Sequence, residues 1–511
     1  MIKSKILESK CRYSVSPTAL FAALTKDKSD VMLLESSEID SKDNLKSLLL
    51  ISSALKIVCH DRQVTIKALN SNGQSLIAPL SLHFGDLVTI STKDCFIISY
   101  PEPANDLDQD SRLSALSPFS ALRELQQLLA QGSDDHHRFI AGTFAYDMIA
   151  SIESLPAVKE GQNHCPDFVF YLIEDALMLD HQTEQAQLVS HTFSSQLEPQ
   201  IAKKHQALLQ QIEDGAIEPI VGGPITDDVA VNISDSEFNH IVTTLKQQII
   251  KGNIFQVVPS REFSLPCPNP LAAYNQLKKT NPSPYMFFIK DQDFVLFGAS
   301  PESALKYESE NNQVEVYPIA GTRRRGFNSD GTINLDLDGR MELDLRLDKK
   351  ELAEHIMLVD LARNDVARIS EAGTRKVAQL LKVDRYSHVM HLVSRVTGQL
   401  RSDLDALHAY QACMNMGTLV GAPKIKASAL IREVEQQRRG SYGGAVGYIN
   451  SAGDMDTCIV IRSAFVSQGV ATIQAGAGVV FDSDPQAETD ETRAKAQAVI
   501  SAVKAQGGYH A

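Results

Sequence analysis

Two stretches of the chain place paired carboxylates at helical spacing. In KKELAEHIMLVDLARND, Glu351 and Glu354 fall one turn apart on one face of a predicted helix, and in AETDETRAKAQ, Glu488 and Glu491 do the same. Read alone, either pair is a solvated helix face. Read together, four carboxylates without a Cys or His set beside them suit a hard, oxygen-seeking cation. Magnesium fits, held through one or two carboxylates and a substrate. Arg462 stands in TCIVIRSAFV, a predicted strand with Ile459, Ile461 and Phe465 on one face and Cys458, Val460 and Arg462 on the other. A guanidinium there needs an anion, either a structural carboxylate or a ligand. Gly476 and Gly478 share a face of the next strand, which allows tight sheet packing or the close approach of a ligand. His391, in apolar VMHLVSRV, is either a satisfied core histidine or an acid–base group with an ordinary pKa near 6.5. Glu302 follows Pro301 at a strand end, where its carboxyl can face a pocket. GTLVGAPK (417–424) lacks the G-K-[ST] of a P-loop, but its Pro423 opens a helix whose start, with Lys424, can bind an anion.

The elements that must position these groups are mixed. VMLLES (31–36) reads as a strand and SKDNLKSLLLISSA as a helix capped by Ser41. LKIVCH with QVTIKAL, and FVFYLIEDALMLD with AQLVSHTF, read as hairpins. A polar stretch from about 198 to 228 reads as a short helix and a linker, which divides the chain into 1–225 and 226–511. Beyond it come a helix at DSEFNHIVTTLKQQIIKGN stopped by Gly252, strands at 254–263, 284–290, 294–299 and 313–319, and helices at about 349–363 and 424–438. A meander through GGAVGYIN, TCIVIRSAFV and ATIQAGAGVVF precedes a last helix opened by Asp484-Pro485. Short turns between successive strands imply antiparallel sheets, so the fold class is α+β rather than doubly wound.

Composition excludes several functions. A net charge of −14 without a basic block, RRRG at 323–326 being too short, argues against nucleic acid. Seven scattered cysteines without C-x-x-C argue against a zinc site or disulfide framework and fit a reducing cytoplasm. No apolar run suits a signal peptide or a span of roughly 18 residues. Glycines in GAG and GSYGGAVG lead into strands, not helices, so they are no dinucleotide fingerprint. There is no tryptophan.

Together PIAGTRRRG (318–326), DKKELAEHIMLVDLARND (348–365), GTLVGAPK (417–424), VIRSAF (460–465) and QAGAGVVFDSDPQAETDETRAKA (474–496) resemble the chorismate-utilising enzymes over about 230–500. LLESSEIDSKDNLKSLLL (33–50) and SPYMFF (283–288) resemble the tryptophan-binding segments of anthranilate synthase large subunits. The resemblance implies an αββα sandwich of two antiparallel sheets, with a regulatory region at 1–225 and a chorismate-binding catalytic domain at 226–511. Isochorismate and salicylate synthases carry a water-activating lysine where this chain has Gln256, and aminodeoxychorismate synthases commonly carry a nucleophilic lysine where it has Ala320. Ammonia therefore remains as the nucleophile.

The implied roles follow. Glu354 and Glu491 hold Mg²⁺, with Glu351 and Glu488 as further ligands. Arg462 and Tyr442 hold the enolpyruvyl carboxylate of chorismate, and Gly321, Thr322, Gly476, Ala477, Gly478, Thr418 and Lys495 complete the pocket. Glu302 protonates the departing C4 hydroxyl, and His391 assists loss of pyruvate. Glu35, Ser36, Lys46, Pro284, Tyr285 and Met286 bind tryptophan as a feedback inhibitor. No cysteine sits in a convincing glutaminase elbow, so ammonia is expected from a separate glutamine amidotransferase subunit, in a heterotetramer of two large and two small subunits. The alternatives are an aminodeoxychorismate synthase large subunit and a non-catalytic tryptophan-sensing module.

Overall fold

The computed structural model describes residues 5–36, 46–102, 107–130, 136–386 and 389–506. Its strands pair antiparallel throughout the two large sheets, and the ladder branches rather than closing on itself. The branch point is a pair of long strands, Lys46–His60 and Phe168–Asp180. Their register slips between Leu50 and Leu55, and bulges of this kind bend a strand and re-aim its side chains. On one side of the slip they extend through Val31–Glu35, Tyr285–Lys290, Val295–Ser300, Ser463–Ser467, Val470–Gly476 and Ser260–Pro266. On the other they extend through Phe139–Phe144, Ala445–Asn450, Met455–Ile459, Ser303–Glu308, Gln313–Val316 and Val389–Gln399.

Three buried layers follow from side-chain alternation. Met32, Leu50, Phe287, Ile289, Leu296, Val446 and Phe465 fill the space between the sheets. Their neighbours Val31, Leu33, Leu49, Met286 and Phe288 point out of that layer toward helices Pro17–Leu24, Pro270–Thr280 and Pro485–Ala505. The second sheet is covered by Ser71–Phe84, Phe119–Ala130, Lys349–Ile369 and Ala406–Cys413. The architecture is the expected α+β, αββα sandwich.

Three local expectations are corrected. Residues 46–54 form the start of a strand, not a helix. Both faces of that strand are buried, so SLLLISSAL shows no period-2 alternation and reads like a buried helix. The Ser41 cap lies outside the described residues. TCIVIRSAFV is not one strand: it breaks at Val460–Arg462 between Met455–Ile459 and Ser463–Ser467, and Arg462 takes a φ of +47°. The linker expected at 198–228 begins with a longer helix, Glu198–Glu213, and is irregular after it. The two portions of the chain do not form separate sheets, since Val31–Glu35 pairs with Tyr285–Lys290 and Phe139–Phe144 with Ala445–Asn450.

Candidate active site

Two antiparallel segments cross from one sheet to the other side by side. One runs Val295–Ser300, Pro301, Glu302, Ser303–Glu308. The other runs Met455–Ile459, Val460–Arg462, Ser463–Ser467. At the crossing the Ile459 amide donates to the Glu302 carbonyl (3.0 Å) and the Ala299 amide donates to the Arg462 carbonyl (3.1 Å). The break in each segment is thus what brings Glu302 and Arg462 to one seam.

Glu302 is 7% exposed, and Thr418, in the single turn Gly417–Val420, donates to its Oε1 at 3.1 Å. Burial pushes its carboxyl up to about 8, against weaker opposing pulls from Thr418, Arg462 and Lys495. Glu302 is therefore a neutral acid at pH 7, suited to give a proton. Arg462 has no carboxylate within ion-pair distance among the described residues, and burial lowers its pKa. Its charge is felt by both Glu302 and His391.

His391 corrects the expectation of an ordinary histidine pKa. Burial first, then Arg462, depress it to about 3. Its Nδ1 lies 2.9 Å from the Thr322 hydroxyl and 3.3 Å from the Gly321 carbonyl. A carbonyl only accepts, so Nδ1 carries the hydrogen and Nε2 is left as an acceptor. Nε2 is buried without a hydrogen-bond partner among the described residues. The ring is a neutral base rather than an acid, held edge-on by Tyr386 at 5.2 Å. Replacing His391 by methionine should slow the second, pyruvate-releasing step by about 10²–10⁴-fold while the first step persists. Chromatography of quenched reactions should then show the aminated intermediate, and equal slowing of both steps without it would remove His391 from this role.

The glycines sit where side chains cannot. A Cβ on Gly476 would lie 2.7 Å from the Pro259 carbonyl and 3.2 Å from the Tyr442 hydroxyl, and one on Gly478 would lie 3.0 Å from Gln256 Nε2. Gly321 has a φ of +81° and would press on Leu345 and Glu351. Ala477 is fully buried between the two glycines. Tyr442 is buried under the Arg439 guanidinium (5.7 Å), which Glu435 and the carbonyls of Leu419 and Val258 hold in turn. Lys495 donates to the Gly476 carbonyl (3.1 Å) and pairs with Glu491 (2.6 Å).

The four glutamates come from the first two turns of Lys349–Ile369 and Pro485–Ala505. Burial pushes Glu354 up to about 7, helped by Glu351, Glu488 and Glu491, and burial with Glu491 raises Glu488. One ammonium, Lys350 Nζ, lies 3.9 Å from Glu354 and 4.0 Å from Glu488. Two carboxyls raised by burial and by neighbouring glutamates, and gathered about one lysine, want a cation, so this donor set fits magnesium. Among the described residues no three such groups converge on one point as they stand. Glu351 is held by Arg323 (3.2 Å), which also binds Asp344 and Asp348. Sequence reasoning missed Arg323, which entered it only as part of RRRG and of PIAGTRRRG, with no role of its own. Lys424 is not an anion site: it pairs with Asp365 (2.6 Å) and donates to the Cys413 carbonyl.

A second cavity of about 950 Å³ opens between the sheets. Glu35, Ser36, Lys46, Pro284, Tyr285 and Met286 all line it. Glu35 does not offer its carboxylate there, because Lys278 (2.6 Å) and Tyr274 take it on the helix side. Asp456, Tyr448 and Cys458, which sequence reasoning missed, come from the second sheet to the same cavity. Burial pushes Asp456 up to about 6, and Tyr285 donates to it at 3.1 Å.

This seam of acid, imidazole and free guanidinium beside a carboxylate cluster lies within a match to known proteins. The sequence pattern of the chorismate binding enzymes matches residues 81–501, and the chain belongs to that family. It is 58% identical over 505 residues to anthranilate synthase component 1 of Vibrio cholerae, covering 98% of this chain and 96% of that one. It is 54% identical over 505 residues to the Escherichia coli K12 component 1, with the same coverage. Among solved structures it resembles anthranilate synthase component I from Streptococcus pneumoniae (TM-score 0.69, 28% identity, 90% of this chain and 93% of that one). The menaquinone-specific isochorismate synthase of Escherichia coli shares the fold (TM-score 0.69, 16% identity, 98% and 95%).

Proposed function

We propose that this chain is the large subunit of an anthranilate synthase, converting chorismate and ammonia to anthranilate and pyruvate. One observation carries the reading: a neutral carboxylic acid, Glu302, and a neutral imidazole, His391, share the field of an unpaired guanidinium, Arg462. Arg462 and Tyr442 take the enolpyruvyl carboxylate, and the glycines at 321, 476 and 478, with Thr322 and Ala477, let the ring approach the backbone. Ammonia adds at C2 while Glu302 gives its proton to the C4 oxygen, which leaves as water. Nε2 of His391 then removes the C2 proton as pyruvate departs and the ring becomes aromatic.

Glu354 and Glu491, with Glu351 and Glu488, would hold Mg²⁺. When bound, the ion supplies Lewis-acid withdrawal at the ring carboxylate. Gln256 and Ala320 leave no lysine at the positions where related enzymes place a base or nucleophile. Ammonia comes from a separate amidotransferase subunit, two of each subunit assembling. No helix among the described residues is long and apolar enough to cross a membrane, and the free thiols fit the cytoplasm. Purified chain with chorismate, Mg²⁺ and ammonium salt should yield anthranilate, and glutamine alone should not replace ammonium. Isochorismate or 4-aminobenzoate as the main product would refute the assignment.

The cavity between the sheets is the seat of feedback inhibition by tryptophan. A ligand there touches both sheets and favours one arrangement of the seam, and that differential affinity is what can inhibit. Asp456 replaces Glu35 as the acid facing the ligand's ammonium group. The Ser36→Phe enzyme should keep its activity and lose at least about tenfold in tryptophan sensitivity, which corresponds to about 1.4 kcal/mol of coupling. Wild-type indifference to millimolar tryptophan, or an equally sensitive variant, would sink this site.

A further inference from the structure

A small cavity of about 20 Å³ lies beside Glu302. Glu302, Thr418 and Asp365 line it, among apolar Leu358, Leu361 and Ala362. One water needs about 10–15 Å³ and two to four polar partners, so the space suits a single molecule. Asp365 extends to it from Lys349–Ile369. Its Oδ2 is taken by Lys424 (2.6 Å), and its Oδ1 carries no hydrogen bond among the described residues. Lys424 is fixed in turn by the Cys413 carbonyl (2.6 Å), so the ion pair is a rigid fixture. Nothing in the chorismate reaction as described uses it.

We propose that Asp365 positions a water in this cavity, and that this water returns to Glu302 the proton lost in each turnover. The inference rests on the proposed amination. In that step the C2–N bond forms from the ammonia lone pair, and the two ring double bonds each shift by one position. The C4–O bond breaks with its electrons on oxygen, which takes the Glu302 proton and leaves as water. Glu302 remains as a buried carboxylate, a state its surroundings disfavour. The new ammonium group loses one proton to solvent, so the books balance when one proton returns to Glu302 from solvent. It arrives as hydronium in the cavity, where the Asp365 carboxylate stabilises it. Transfer to Glu302 leaves neutral water behind. Burial raises the Asp365 carboxyl, and Lys424 opposes that rise and so favours the charged acceptor that orients the water.

This role differs from a structural one in time. The first turnover starts with Glu302 already protonated and does not need the return path; later turnovers do. In Asp365→Asn, rapid-quench assays with chorismate, Mg²⁺ and ammonium should show a first turnover near the wild-type rate. Steady turnover should then be about 10–100-fold slower, within the range proton-transfer groups contribute, with KM for chorismate within about twofold. Asp365→Glu should recover most of the steady rate. Leu361→Phe, which fills the cavity from its apolar wall and leaves the ion pair intact, should give the same burst, and it decides the matter if Asp365→Asn does not fold. A first turnover slowed as much as later ones, or no burst in Leu361→Phe, overturns the proposal. If wild-type chain forms no aminated product at all, it is the amination reading that fails.

Discussion

Glu354→Gln is expected to abolish Mg²⁺-dependent turnover, by about 10³-fold or more, while leaving the protein folded. Four glutamates from two helix starts share a half-buried space in which Glu354 is pushed up to about 7 by burial and by its three neighbours. Removing one negative ligand weakens the hold on a hard cation that has few protein ligands to lose. A stability readout separates this from misfolding. The folded-state pKa of Glu354 lies above its ordinary value of 4.5. Its contribution is therefore fully present below about pH 4.5 and is lost as pH rises through about 7. At pH 8 and without metal, the ionised group works against the fold, so Glu354→Gln should melt at or above the wild-type temperature. Mg²⁺ should raise the wild-type melting temperature and barely move that of the variant. Glu491→Gln should lose turnover in the same way. Near-normal activity at low Mg²⁺ in either enzyme removes the assignment.

Glu302→Gln should lower the amination rate by about 10²–10⁴-fold, the usual worth of a positioned acid. The wild-type profile should also carry a signature of this group. The proton donor exists only below its pKa of about 8, so kcat/KM should fall as pH rises past that point. The glutamine enzyme should lack this alkaline limb. His391 should contribute no limb near pH 6.5, since it is neutral there already. A wild-type profile flat through pH 9, or a limb that survives in the variant, would take the acid role from Glu302.

Much of this site was legible because its parts sit at fixed spacing. Glu351 with Glu354 and Glu488 with Glu491 are helix-periodic, and the elements they imply form where expected, with Asp484 capping the last helix through the Ala487 amide. Arg462 was legible as an anomaly in an apolar stretch. What hid was whatever depends on distant chain. The break at Val460–Arg462 has no proline or turn motif to announce it; it is imposed by the antiparallel neighbour that crosses beside it at Glu302. The first part of the strand, residues 46–54, hid for the opposite reason, being buried on both faces. The pKa of His391 was illegible because burial and Arg462, 71 positions away in sequence, set it together. The Glu35 carboxylate was assigned to a ligand because Lys278 and Tyr274, which take it, lie on a helix that no local pattern connects with residue 35.

The interleaving of early and late strands also governs how this protein must be made. Phe139–Phe144 has one neighbour, Phe168–Asp180, soon after it emerges, but its other edge waits for Ala445–Asn450. Val31–Glu35 likewise waits for Tyr285–Lys290. During synthesis the first half of the chain therefore presents open, apolar strand edges until nearly all the rest has been translated, and such edges are templates for intermolecular pairing. Folding must be largely post-translational and slow, as expected when loop closure spans hundreds of residues. Yield in a producing cell should thus depend on temperature and on chaperones that shield β-edges more steeply than the stability of the finished enzyme does, and a ribosome stalled before residue 445 would leave an aggregation-prone fragment rather than a usable regulatory half.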